Sequence, residues 1–203
     1  ETLKDPAVMA ALEGYVTVKV DVAQNRALGS KYARRGVPHT VLLGEHEEVL
    51  GQIAGYVPAA VMLAQLREGQ DNFGRLPEIA ALEKTLTAAP EDASTLARLG
   101  RLYVQLQQEA KAEPLLKRAL QQRDKLDPQV AAGAELDLLI AGLSRQGGEA
   151  TAGFAAWLRA NPTHPRLVEA QYYGGYAAAL KGDGKTALEL WAQVIAAQPD
   201  SAR

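Results

Sequence analysis

The side chains that most often carry enzyme chemistry are few in this sequence and widely separated. None of its 203 residues is cysteine, so the chain itself has no thiolate nucleophile, disulfide or thiolate metal site. Its histidines, His39, His46 and His164, lack the paired spacing on one helix that a zinc site needs. Ser30 and Ser144 have no evident base beside them. We therefore expect no metal, no other cofactor and no nucleophilic catalysis by these side chains.

One short segment, from Arg35 to Leu43, joins a turn to the start of an apolar strand. Gly36-Val37-Pro38 breaks the preceding helical pattern, and the next residues have the apolar character of a short buried strand. A cis X-Pro bond is a minority state in unfolded chains, so a fold that fixes one usually uses it, although Val37-Pro38 permits either isomer. This turn is the first candidate for a functional site.

The patterns around this turn predict the elements that would position it. Asp5-Pro6 predicts a helix start, because Asp5 can cap free N–H groups and Pro6 has none to lose. The elements expected after that helix are a strand at Tyr15 to Asp21, a helix at Ala27 to Ala33, a hairpin of Thr40 to Leu43 with Val49 to Ile53, and a helix from Gly55 to about Arg67.

This order, with Gly36-Val37-Pro38 before a strand, resembles a thioredoxin domain over about residues 1–68. The resemblance implies that the proline loop presents backbone groups to an extended substrate peptide. The implied substrate-binding residues are Val37, Pro38, His39 and Gly55. His39 stands where the family more often has Thr, and the hairpin turn has His46-Glu47 instead of an Asp-Gly type.

The resemblance also implies that a Cys-x-x-Cys dithiol would stand just before Glu1. In thioredoxins the strand before that dithiol lies in the middle of the sheet. Losing four or five buried apolar side chains, at ~1.5–3 kcal/mol each, would cost on the order of 10 kcal/mol. Because a typical domain is stable by only ~5–15 kcal/mol, we expect upstream residues, another segment or another chain to fill that position.

The rest of the sequence is helical in pattern and repeats itself. Pro90, Pro128, Pro162 and Pro199 are separated by 38, 34 and 37 residues, close to the ~34-residue tetratricopeptide period. The chain resembles that family at Leu99-Gly100, Tyr103, Ala112, Leu116 and Ala119, then at Ala150 and Phe154, then at Gly175, Ala178, Ala187, Trp191 and Val194. An irregular helical bundle with the same small-residue packing is the alternative.

A tetratricopeptide array implies a concave, protein-binding face built from the first helix of each pair. The candidate partner-binding residues on those helices are Arg98, Arg101, Gln105, Gln171 and Tyr172, although a solvated helix face would have the same composition. Tyr172, with Tyr173 and Tyr176, is also expected to pack between repeats rather than to form a ligand cage. Trp157 and Trp191 fall at core positions of the repeat.

The predicted fold is an α/β thioredoxin-like domain followed by an all-α tetratricopeptide array. The predicted divisions are residues 1–68 for the first domain, 69–90 for a linker at Gln70-Asp71-Asn72 with a connecting helix, and 91–203 for about three helix pairs. The net charge of −2 gives no field to attract nucleic acid. No apolar run approaches the ~20 residues that cross a bilayer, so we expect no membrane partner.

Two functions fit this organisation. In the first, a full-length parent with an upstream dithiol is a thiol-disulfide oxidoreductase of cell redox homeostasis, and the helical tail recruits client proteins. In the second, the chain is a non-catalytic holdase chaperone or adaptor that grips protein through the proline-loop groove and the concave face. As it stands, this chain cannot perform dithiol chemistry. The cytoplasm is the expected compartment, with an extracytoplasmic location left open.

Overall fold

A computed structural model describes residues 2–32 and 36–197 of the chain. Four positions used in the sequence predictions lie outside those ranges: Glu1, Ala33, Arg35 and Pro199. The chain divides into two compact units, Glu1–Glu78 and Ile79–Arg203.

The first unit contains two short helices, a β-hairpin and the start of a long helix. These are α1 (Pro6–Leu12), α2 (Arg26–Tyr32), β1 (His39–Leu43), β2 (Val49–Ala54) and α3 (Ala59–Ala88), which continues into the second unit. The predicted start of α1 is confirmed: the Asp5 carboxylate accepts from the N–H groups of Ala7 and Val8, and Pro6 occupies the first helical position.

The predicted hairpin is also confirmed. β1 and β2 pair antiparallel, with Thr40 opposite Ile53, and a bulge interrupts the register between Leu42 and Leu43. Leu42 and Ile53 turn toward a small core whose other buried members are Val8, Leu50, Met62 and Leu66. One face of the hairpin therefore supports α1 and α3.

The predicted strand at Tyr15 to Asp21 is wrong. Val16, Val18 and Val20 are 96%, 77% and 40% exposed, and within the described residues the sheet contains only β1 and β2. The alternating pattern is present, but a strand also needs a neighbour to bond its N–H and C=O groups. Without one, the segment remains irregular.

The predicted linker at Gln70-Asp71-Asn72 is helical, because α3 runs unbroken from Ala59 to Ala88. Asn72 is buried, and its side-chain amide donates to the Leu50 carbonyl at 2.7 Å. Arg75 donates to the Asn72 side-chain oxygen at 2.6 Å. Asn72, a polar residue that suggested a loop in the sequence, therefore fixes α3 against β2.

The described residues of the second unit form a helical array of three consecutive helix pairs. The pairs are α4 (Ala93–Gln105) with α5 (Glu109–Gln121), α6 (Pro128–Gln146) with α7 (Thr151–Ala160), and α8 (Leu167–Lys181) with α9 (Gly184–Ala197). Asp92 caps α4 by accepting from the Thr95 N–H at 2.8 Å. Asp127 caps α6, where Pro128 is the first helical residue.

Small residues let the paired helices approach closely. A Cβ on Gly100 of α4 would lie 2.7 Å from the Leu116 side chain of α5, and a Cβ on Gly175 of α8 would lie 2.6 Å from the Trp191 indole of α9. Trp157 is in the core, as predicted, whereas Trp191 is half-buried. Other repeat positions are buried too: Leu99, Tyr103, Ala112, Ala119, Ala150, Phe154, Ala178 and Ala187.

We predict that Gly100→Ala destabilises the second unit by about 1–3 kcal/mol, because the added methyl group overpacks against the fully buried Leu116. The control is Gly74→Ala in α3, where a Cβ meets nothing within 4 Å. There the change should stabilise by about 0.5–1 kcal/mol, since alanine favours a helix interior over glycine. Urea unfolding followed by circular dichroism measures both. Equal effects would contradict the close-packing explanation.

Candidate functional site

The structure brings the four predicted substrate-binding residues together at one end of the hairpin. The Val37-Pro38 peptide bond is cis, and the Gly55 N–H donates to the Pro38 carbonyl at 2.8 Å. His39 follows as the first residue of β1, with its Nε2 3.3 Å from Oε1 of Gln52. Val37 lies beside them and is 66% exposed. The described part of the loop is therefore open to solvent.

The register of the hairpin shows which backbone groups of β1 point away from β2. Antiparallel residue pairs alternate between pairs that exchange both hydrogen bonds and pairs that exchange none. Because Gly55 bonds to Pro38, the bonded pairs continue with Thr40 and Leu42. His39 and Val41 therefore direct their N–H and C=O groups away from β2, along the outer edge of β1.

The predicted partner-binding residues form two groups. Arg98, Arg101 and Gln105 share one face of α4, with both arginines exposed and Gln105 half-buried. On α8, the Gln171 amide donates to the Gln193 side chain of α9 at 2.7 Å. Tyr172 is about half exposed, and its ring meets Tyr173 edge-on at 5.2 Å. A binding role for these residues stays a prediction.

A buried ion cluster in the second unit was missed by the sequence analysis. Asp137 of α6 is 2% exposed, and its two carboxylate oxygens accept from the Arg166 guanidinium at 2.9 and 2.5 Å. Arg166, just before α8, also donates to Glu169 at 2.7 Å and to the Gly133 carbonyl at 3.2 Å. The cluster therefore fastens the start of α8 to the middle of α6.

Burial and charge pairing act in opposite directions on this cluster. Burial disfavours the charged guanidinium, but hydrogen bonds and charge interactions with Glu169 and Asp137 outweigh it and raise the pKa of Arg166 above its usual range. Burial also raises the pKa of Asp137 above its usual value, although hydrogen bonds and charge interactions with Arg166, and a charge interaction with Arg101, one of the predicted partner-binding residues, oppose that shift. Both Asp137 oxygens are occupied, so the arrangement is a structural tie rather than an acid-base pair.

One signal could have revealed the cluster from the sequence. Asp137 falls three or four residues from Gly133, Ala134 and Ala141, so the helical period places its carboxylate among core positions. A carboxylate there requires a cationic partner.

A groove of about 470 Å³ opens between α5, α6 and α7. Its titratable side chain is Glu135, which forms an ion pair with Arg123. The other residues that line the groove are mainly apolar: Leu120, Leu138, Leu139, Gln146, Gly153, Ala156, Trp157, Ala160 and Asn161. The groove offers contact area but no reactive pair.

Within residues 2–32 and 36–197, no group of three or more histidine, aspartate or glutamate side chains could hold a metal ion. In the same part of the chain, no helix combines the length and apolar character needed to span a bilayer.

We predict that Asp137→Ala lowers the free energy of unfolding by about 3–5 kcal/mol, because it removes the buried carboxylate from the ion pair that Arg166 forms in the core. Glu91→Ala is the matched control, since it removes a carboxylate from the exposed pair with Arg118 and should cost less than about 1 kcal/mol. Urea unfolding of both variants tests this. Similar losses would show that the buried cluster contributes no more than a surface pair.

Comparison of the chain with models of known protein families finds no match, and comparison with curated proteins finds none either.

Proposed function

We propose that this chain is a protein-binding module that holds client polypeptides without catalysing a reaction on them. The observation that carries this proposal is an exposed apolar surface on the last helix pair. It consists of Tyr172, Tyr176 and Leu180 on α8 with Leu188 and Ile195 on α9, which are between 47% and 69% exposed. We call it the α8–α9 surface.

The tyrosines of this set lie on the exposed side of α8. Gly174 of α8 lies against Phe154 of α7 and Leu190 of α9, so this side of α8 points into the array. With 3.6 residues per turn, Tyr172 and Tyr176 lie on the opposite side of α8. Leu188 similarly lies opposite Leu190 on α9. Tyr172 and Tyr176 therefore face away from α7.

The composition of this surface suits contact with protein. Contiguous exposed apolar side chains on a soluble fold often mark an interaction site, and tyrosine is enriched among the residues that carry binding energy. Tyr172 belongs both to this surface and to the predicted partner-binding set. The resemblance to tetratricopeptide arrays, which bind other proteins, supports the same conclusion.

A second candidate is thiol-disulfide exchange by a longer parent protein. In this proposal a dithiol outside the present sequence performs the chemistry, and the proline loop holds the backbone of the client. The exposure of Val37 and Pro38 beside Gly55 favours it, because a client strand could reach the loop. The histidine at position 39 would then lie near the dithiol.

Aggregation of the insulin B chain, released by dithiothreitol and followed by light scattering, tests the first proposal. We expect the chain to suppress aggregation in a concentration-dependent way. The double variant Tyr176→Ser/Leu188→Ser should lose most of that effect, because it removes apolar contact area. Val130→Ser is the control, since Val130 is also exposed but lies on α6.

The outcomes separate the candidates. No suppression by the wild-type chain would overturn the holding function, and equal suppression by the double variant would remove the α8–α9 surface from it. A thiol count on the natively expressed protein under denaturing conditions decides the second candidate, because a protein without thiols cannot reduce insulin itself.

A further inference from the structure

We propose that the groove between α5, α6 and α7 binds an amphipathic helix of another protein, one that carries a row of apolar side chains flanked by acidic residues. The residues that line this groove include none of the α8–α9 surface and none of the predicted partner-binding residues. The site therefore does not depend on the proposed holding function.

The floor of the groove is fixed by two contacts between α6 and α7. A Cβ on Gly153 of α7 would lie 2.6 Å from the Leu139 side chain of α6, so the two helices approach closely there. The Trp157 indole N–H of α7 donates to the Ala132 carbonyl of α6 at 2.8 Å. These contacts run α7 antiparallel to α6, and they form the groove before any ligand binds.

The apolar side chains along the groove are incompletely covered by the array. Leu120 of α5 and Leu138 and Leu139 of α6 are each partly exposed. On the other side, α7 presents two exposed alanines, Ala156 and Ala160. Such small side chains let a further helix come close, because the distance between packed helices depends on the side chains at the contact. The groove therefore offers apolar area to a partner that lies along it.

The polar side chains that line the groove lie at its two ends. Because α7 is antiparallel to α6, Glu135 and Asn161 share one end, and Gln146 marks the other. An extended peptide would find few partners there for its backbone N–H and C=O groups, and burying such groups unpaired is costly. A helix bonds its own backbone and needs no such partners. The groove therefore favours a helical ligand.

The dimensions of the groove match one ridge of side chains on a helix. Glu135 and Gln146 are eleven residues apart on α6, which is about 16 Å along the helix axis. A ridge of apolar residues at i, i+4 and i+7 extends about 10 Å, and such ridges anchor helices in apolar grooves. The volume of about 470 Å³ lies within the range of ligand sites, ~300–1,000 Å³.

Positive charge lies along both long sides of the groove. On the side of α5, Lys117 and Arg145 share the single carboxylate of Glu113, so these three side chains keep one net positive charge. On the side of α7, Arg159 is exposed and lies three residues from Ala156, and no carboxylate pairs with it among the described residues. These cations suit a ligand with acidic side chains on either flank of its apolar ridge.

The test uses the full chain and a fluorescein-labelled peptide, Ser-Glu-Leu-Ala-Glu-Glu-Leu-Ala-Glu-Leu-Ala-Glu-Glu-Ala, with binding measured by fluorescence anisotropy. The leucines of this peptide form an i, i+4, i+7 ridge flanked by glutamates, and its residue types favour a helix. We expect saturable binding. Replacing the central leucine by proline should weaken the affinity by at least about tenfold, because proline breaks the helix and removes an anchor.

Two protein variants locate the binding. Ala156→Trp fills the groove and should weaken the affinity by at least about tenfold, whereas Ala64→Trp, at an exposed position of α3, is the matched control and should bind as the wild type does. Arg159→Glu should weaken the glutamate peptide by about two- to fivefold and strengthen a version with lysines in place of glutamates. Arg67→Glu on α3 is the control for this charge reversal.

No peptide binding, equal binding of the proline or lysine peptide, or equal binding by Ala156→Trp would overturn the proposal. Loss of binding in Tyr176→Ser/Leu188→Ser but not in Ala156→Trp would also overturn it and assign the peptide to the α8–α9 surface. Self-association of the wild type that Ala156→Trp abolishes, seen by analytical ultracentrifugation without peptide, would overturn it and assign the groove to a second copy. Circular dichroism of each variant distinguishes lost binding from lost folding.

Discussion

A β-strand cannot satisfy its own backbone, and this requirement governs the first unit. β1 and β2 form backbone hydrogen bonds with each other along one side. The buried Asn72 amide of α3 also donates to the Leu50 carbonyl of β2. The core is consequently built on one face of two strands, with α1 and α3 against it. Tyr15 to Asp21 has the composition of a third strand, but no strand among the described residues lies beside it, so its valines stay in solvent.

The second unit does not face this requirement, because each helix forms its backbone hydrogen bonds within itself. Its stability depends instead on how closely the helices approach, and glycines at the contacts with Leu116 and Trp191 set that distance. Each pair can form from a short stretch of sequence. The buried Asp137–Arg166 tie then adds a longer connection, from α6 to the start of α8.

This difference explains how much could be predicted from the sequence. The cap at Asp5, the β1–β2 hairpin and the helix pairs depend on neighbours within a few tens of residues, and each leaves a local pattern. The predicted strand at Tyr15 was wrong because a two-residue period describes one segment and does not show which strand could pair with it. The linker at Gln70 to Asn72 failed for a related reason, since the partner of Asn72 lies 22 residues away. Asp137 and Arg166, 29 residues apart, were missed in the same way.

The two proposed contacts would recognise different properties of a client. In the second candidate function, the proline loop offers backbone groups, which every polypeptide can match once it is extended. The α8–α9 surface offers aromatic and aliphatic side chains and depends on the apolar content of the client rather than on its backbone. A folded protein with its strands paired and its apolar side chains buried satisfies neither requirement. An unfolded or partly folded chain satisfies both, which is the selectivity that a client-holding protein needs.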